Sequence, residues 1–150
     1  LRGATDSTLR LDHDNEVQPD LMLRIDGPRG SSHIDADGYV QGPPELVVEI
    51  AASSVSRDLH QKLRVYRRNG VREYLVLRAE DAAVDWFVQR SGAYSPLGHD
   101  EHGVLRSEAF PGLWLDTPAL LRGDAAGLRV GVERGLADPS HAAFRAFLTS

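Results

Sequence analysis

Pro44-Glu45-Leu46-Val47-Val48-Glu49-Ile50-Ala51-Ala52, followed at once by Ser53 to Asn69, decides the fold. The first nine residues are mostly apolar and partly β-branched, and the pair Pro43-Pro44 opens them. That pattern predicts a strand buried on both faces. Glu49 interrupts it. A lone carboxylate in a buried strand is costly unless it is paired or holds a metal.

The segment that follows predicts a helix. Ser53, Ser54 and Ser56 are candidate N-caps, because a serine oxygen can satisfy the free N–H groups of a first turn. Val55, Leu59, Leu63 and Tyr66 recur at spacings of four, four and three, which places them on one apolar stripe. Asn69-Gly70 supplies the stop. Lys62 falls on the stripe, whereas Arg57, Gln61, Arg64 and Arg68 fall opposite. Lys62 is therefore turned toward the protein. Either it lays its stem on the core with its amine in water, or it points into a site at the strand ends.

Working outward, Val71 to Leu77 is a further buried strand. Strand, helix and strand in this order predict a parallel crossover. Ala83 to Gln89 alternates, and Ser91-Gly92 turns the chain into Tyr94 to Leu97 as a hairpin. Upstream, Val17 to Ile25 reads as a strand carrying Pro19-Asp20, and Thr8 to Leu11 as a short one. Asp12 to Glu16 is acidic but lacks the glycine of a calcium loop, so it reads as a turn. Asp26 to Gly42 reads as a loop in which Asp35-Ala36-Asp37-Gly38 is turn chemistry. Downstream come an apolar clip at Phe110 to Leu115 and a helix start at Thr117-Pro118, with Thr117 as cap. Asp138-Pro139 opens a C-terminal helix, residues 138–150, carrying Phe144, Phe147 and Leu148. The whole, residues 1–150, reads as a single α/β domain without repeats.

Composition narrows the function. There is no cysteine, so a disulfide scaffold or a thiolate metal site is excluded. A reducing, cytoplasmic setting is expected. No apolar run approaches the roughly 20 residues of a membrane span, so no membrane partner is expected. The chain starts at Leu1 and its one methionine is Met22, which reads as a fragment or a processed chain. Net charge is −5. Ser53 to Arg72 nevertheless carries Arg57, Lys62, Arg64, Arg67, Arg68 and Arg72 against the single acid Asp58. A run of this kind is a solvated helix face or a phosphate-contacting patch.

Asp20 and Glu49 stand in similar apolar strand settings. Two hard carboxylates with a backbone carbonyl and waters suit Mg²⁺ or Mn²⁺ rather than zinc, and a nearby ammonium, Lys62, would assist an attacking water. The other reading has Asp20 cap a turn and Glu49 be satisfied by an arginine such as Arg24. The six histidines show no HExxH spacing, and neither a GxSxG elbow nor a GxxxxGK[ST] loop is present.

The run PELVVEIAASSVSRDLHQKLRVYRRNGVREYLV, with DNEVQPDLMLRID upstream and DWFVQRSGAYSPL and FPGLWLDTPALL downstream, closely resembles the Uma family of "putative restriction endonucleases". These are small proteins of the PD-(D/E)xK nuclease superfamily, and the resemblance spans about residues 8 to 123. It implies a restriction-endonuclease-like mixed β-sheet flanked by helices, acting on DNA with Mg²⁺ or Mn²⁺. It maps the family's Pro-Asp onto Pro19-Asp20 and its strand acid onto Glu49, with the Ile50 carbonyl as a further metal ligand. The superfamily lysine, normally two residues after the acid, finds Ala51 there. Lys62 on the helix, the chain's only lysine, takes its place. Arg57, Arg64, Arg67 and Arg68 become the phosphate contacts. Two departures stand out. The family's N-terminal region with its helix is absent, and Arg78 stands where many relatives have Asp-Pro. The expected function is metal-dependent DNA hydrolysis. The alternative is a catalytically inactive nuclease-fold module that binds nucleic acid or a protein, and the Phe144-Phe147 helix makes a homodimer compatible with either.

Overall fold

The computed structural model describes residues 2–5, 8–12, 15–52 and 57–150. Its elements in chain order are β1 (Arg2–Thr5), β2 (Leu9–Asp12), β3 (Asn15–Val17), β4 (Leu21–Arg24), β5 (His33–Ile34), β6 (Val40–Gln41) and β7 (Leu46–Ala51). Then follow α1 (Arg57–Arg68), β8 (Glu73–Arg78), β9 (Ala83–Arg90), β10 (Ala93–Pro96), β11 (Val104–Arg106) and β12 (Trp114–Asp116). Three helices close the chain, α2 (Thr117–Leu121), α3 (Ala125–Ala137) and α4 (Pro139–Thr149). Leu1–Pro96 and Leu97–Ser150 each form a compact unit. Among the described residues no helix is long and apolar enough to cross a membrane.

The first unit holds a six-stranded mixed sheet in the order β1-β4-β7-β8-β9-β10. As the strand–helix–strand pattern predicts, β7 and β8 are parallel with α1 between them in sequence. The antiparallel ladders of β4, β9 and β10 extend the sheet on either side. Register lays Met22, Val47, Tyr74 and Phe87 in one row across four strands. Tyr66, Leu59 and Leu63 of α1 pack into the same cluster, as the apolar stripe predicts, while Val55, its first member, lies outside the described residues. Tyr66 and Tyr74 meet at 5.2 Å between ring centres, and Phe87 and Tyr94 complete an aromatic group. Gly70 ends α1 with a φ of +82°, a conformation in which a Cβ would be strained. The expected serine caps at 53–56 lie outside the described residues.

Two expectations for the N-terminal half change. Val17 to Ile25 is not one strand. Chain pairing breaks at Gln18-Pro19, so β3 belongs to a separate four-stranded sheet, β3-β2-β6-β5, while β4 joins the main one. Proline has no N–H to continue a ladder. The stretch from Asp26 to Gly42 also contains β5 and β6, although Asp35 does the turn chemistry expected. Its Oδ1 accepts from the Asp37 and Tyr39 N–H groups at 3.0 and 2.9 Å. The expected turn at Asp12 to Glu16 includes His13 and Asp14, which lie outside the described residues.

Glu45, at the mouth of β7, is 1% exposed. Its two oxygens accept from Ile25 N at 2.7 Å and Ser31 N at 2.9 Å, clamping the end of β4 and the following loop onto β7. Glu45→Gln turns one of these acceptors into a donor facing a donor. The expected loss is about 1–3 kcal/mol, the penalty of a buried group left unsatisfied. Urea denaturation checks it, with a lower midpoint at an unchanged slope.

In the second unit β11 and β12 form a hairpin, and the apolar clip at Phe110 to Leu115 is the approach to β12. The cap of α2 is Asp116, whose Oδ1 accepts from Ala119 N at 2.8 Å. Thr117, expected as the cap, is the first helical residue, and its hydroxyl donates to the Gly103 carbonyl instead. Asp138 caps α4 as expected, and Phe144 sets its ring edge-on to Phe110. Helix α3 has no counterpart in the sequence reading, because Gly127, Gly131 and Gly135 weaken its helical pattern. Those glycines allow close packing. A Cβ at Gly135 would come within 2.1 Å of the Gly112 carbonyl oxygen, and one at Gly127 within 3.0 Å of the Ala119 Cβ.

Candidate active site

Beside the aromatic row of the main sheet runs a second row on the same face. The ladders pair Glu49 with Val76, and Val76 with Asp85. On the other side, the β4–β7 ladder ends with Leu21 opposite Val48. One step further along that antiparallel register Asp20 stands opposite Glu49, the relation in which two side chains share a face. Asp20 does not merely cap its own turn. Its Oδ2 accepts the Ile50 N–H at 2.7 Å, so its carboxylate is held against the backbone next to Glu49.

Helix α1 brings the other partners. Glu49 is 3% exposed, and both of its oxygens are engaged. Lys62 Nζ donates to Oε2 at 2.9 Å, and the Tyr66 hydroxyl donates to Oε1 at 2.7 Å. Lys62 and Tyr66 stand one turn apart, so both reach the same strand residue. Arg24, the arginine considered for Glu49, pairs with Asp26 instead. Burial pushes the Glu49 carboxyl above its ordinary range. The hydrogen bonds from Tyr66 and Lys62 pull it back down, and the Asp20 charge adds to the rise. Desolvation therefore outweighs the two donors.

The structure thus brings Asp20, Glu49, Ile50 and Lys62 to one place. Sequence reasoning missed Tyr66 as a polar partner, counting it only as an apolar stripe residue. The signal was present, since Tyr66 follows Lys62 by four on the face turned to β7. It also left Arg78 without a role. Arg78 Nε binds Asp85 Oδ2 at 2.6 Å, and Nη1 binds Asp81 Oδ2 at 2.5 Å. The carboxylate of Asp85, in the same sheet row as Glu49, is thereby neutralised locally.

Among the described residues no group of three or more His, Cys, Asp or Glu side chains is placed to hold a metal. The two carboxylates present, one buried and one exposed, fit Mg²⁺ or Mn²⁺. Such ions bind through one or two carboxylates and fill their remaining positions with water and substrate oxygens. They do not fit a closed zinc site.

Of the four arginines expected to meet phosphate, Arg64, Arg67 and Arg68 line one concavity with Gln61, Val65 and Gly92, of about 520 Å³. Arg64 lies about 200° around the helix from Lys62, so this basic groove and the carboxylate site occupy different flanks of α1. The Arg57 side chain lies outside what the structure describes.

The model of the Uma2 family, described as "putative restriction endonuclease", matches residues 2–118. The chain belongs to the Uma2 family. Its fold is similar to that of a solved protein from Anabaena variabilis ATCC 29413, described as a "putative nuclease belonging to DUF820". The TM-score is 0.58 at 13% identity, covering 81% of this Uma2 chain and 68% of that chain. At that identity the likeness concerns the fold, and it agrees with the restriction-endonuclease-like mixed sheet expected from the sequence. No curated protein matches.

Proposed function

We propose that this Uma2 chain is a Mg²⁺- or Mn²⁺-dependent endonuclease that hydrolyses DNA phosphodiester bonds. The observation that carries the reading is the meeting of Asp20 and Glu49 across β4 and β7, with Lys62 on the same carboxylate. A divalent cation held there supplies a more acidic water and charge neutralisation at phosphorus. Asp20 and Glu49 are its side-chain ligands, and the Ile50 carbonyl is the expected backbone ligand. Asp20, tied to Ile50 N, keeps its orientation without help from substrate. Lys62, 24% exposed along its side chain, reaches solvent from the rim of the site. From there its ammonium faces the developing charge on a phosphate oxygen and orients the attacking water.

Arg64, Arg67 and Arg68 take the DNA backbone on the other flank of α1. Substituting both Arg64 and Arg68 by Ala should weaken duplex binding across sequences. The slope of log affinity against log salt should fall by about one per arginine. Fluorescence anisotropy over a salt series reads this directly, and an unchanged slope would remove the groove from the DNA path.

The deciding assay is nicking of supercoiled plasmid in Mg²⁺ or Mn²⁺. Wild-type protein should nick, and EDTA should stop it. Failure to nick in either metal, by protein that binds duplex DNA with a normal salt slope, would support the inactive DNA-binding module instead.

A further inference from the structure

Both oxygens of Glu49 are engaged, Oε1 by Tyr66 and Oε2 by Lys62. Each oxygen keeps a lone pair for a cation, but a cation joining Oε2 would share that oxygen with an ammonium, and the two donors differ in what they can do. Tyr66 is 0% exposed and belongs to the core cluster with Tyr74. Withdrawing its ring would open a cavity in packed core. Lys62 ends a flexible four-carbon stem at the edge of the site, and its ammonium can move to water at small cost. Holding an ammonium and a divalent cation on one oxygen is also repulsive at such short range. Asp20, opposite Glu49 and exposed, lies open to the same cation.

We propose that Lys62 and a divalent cation exchange at Glu49 Oε2 while Tyr66 fixes Oε1, so that the cation frees the lysine for the substrate. In this scheme Tyr66 is a positioning residue. It holds one oxygen of the carboxylate still and presents the other. Lys62 closes the site while no cation is bound and is delivered to its task by the cation itself. The inference rests on the reading of Asp20 and Glu49 as the metal site.

Two measurements on the full chain without DNA test it. Mn²⁺ binding is followed by the loss of the free-ion magnetic resonance signal. Lys62→Met, which keeps the stem and removes the competing ammonium, should bind Mn²⁺ about tenfold more tightly, the worth of one hydrogen bond to a charged group. Arg72→Met removes a charge just before β8, at the end of the sheet away from Glu49, and should leave the affinity unchanged. Tyr66→Phe should weaken binding. Because Lys62 is the only lysine, its labelling by an amine-reactive reagent, read by mass spectrometry on its own peptide, reports release. Mg²⁺ should speed that labelling in the wild type and have no effect in Glu49→Gln.

Equal or weaker Mn²⁺ binding by Lys62→Met, or labelling that Mg²⁺ leaves unchanged or slows, overturns the exchange whatever the nicking assay gives. No Mn²⁺ binding by any variant overturns the exchange and the metal site together. Tighter binding and faster labelling without plasmid nicking would uphold the exchange and sink only the nuclease reading.

Discussion

Asp20→Asn is expected to lower plasmid nicking by at least about a thousandfold, because it removes a hard anionic ligand where a cation must neutralise phosphoryl charge. The substitution suits the test because the fold barely registers it. The asparagine oxygen can still accept the Ile50 N–H now bound by Asp20 Oδ2 at 2.7 Å, and Asp20 is exposed. Thermal stability should therefore stay near that of the wild type while Mn²⁺ affinity and cleavage collapse together. Glu49→Gln should lose cleavage to a similar extent. Its amide oxygen can still accept from Lys62 while its nitrogen donates to the Tyr66 hydroxyl, which accepts as well as donates, unlike the two backbone N–H groups on Glu45, so lost activity again need not bring a lost fold. Nicking by Asp20→Asn within about tenfold of the wild type would mean that the carboxylate does not hold the cation.

The second large effect concerns stability. Tyr74→Ala should destabilise the first unit by about 3–5 kcal/mol, the usual penalty for deleting a fully buried aromatic ring. Tyr74 is 0% exposed and its ring contacts Tyr66, Phe87 and Tyr94. It joins the packing of α1 to the three strands β8, β9 and β10. The functional consequence follows from position. Tyr74 lies in the sheet row next to that of Glu49, and its neighbour Tyr66 holds the Glu49 carboxylate. A cavity there should loosen the seat of α1, so Mn²⁺ affinity should fall even at temperatures where the variant stays folded. Guanidinium denaturation measures the first effect and Mn²⁺ titration the second. A loss under about 1 kcal/mol would mean that the aromatic group does not anchor the helix to the sheet.

Much of the centre of this protein was open to local reading. The run from Pro44 to Gly70 carries its own periodicities, first the unbroken apolar run of a buried strand and then a 3.6-residue stripe. Both elements lie where those periods place them. Glu49 and Lys62 could be named for the same reason, as charges that a buried strand and a core-facing stripe do not accept without purpose, whereas Asp20 is exposed just before β4 and was named from the Pro-Asp pair at the mouth of an apolar strand. Local pattern failed where the deciding interaction was distant in the chain. Helix α3 looks unfavourable by propensity, and its Gly135 makes sense only against the backbone of Gly112. Pro19 splits an apparently continuous strand between two sheets, a choice that depends on which ladder each half can join.

By itself the sequence determined the types and order of the central elements and the residues that carry charge inside them. Each follows from a periodicity within a few turns of chain. Only the tertiary structure decided the partners. Glu49 is satisfied by Lys62 and Tyr66 rather than Arg24, and Asp20 is anchored by a backbone N–H thirty residues away. Register and helix seating make those choices, and both are set by burying the Tyr66–Tyr74 core, which no local window contains.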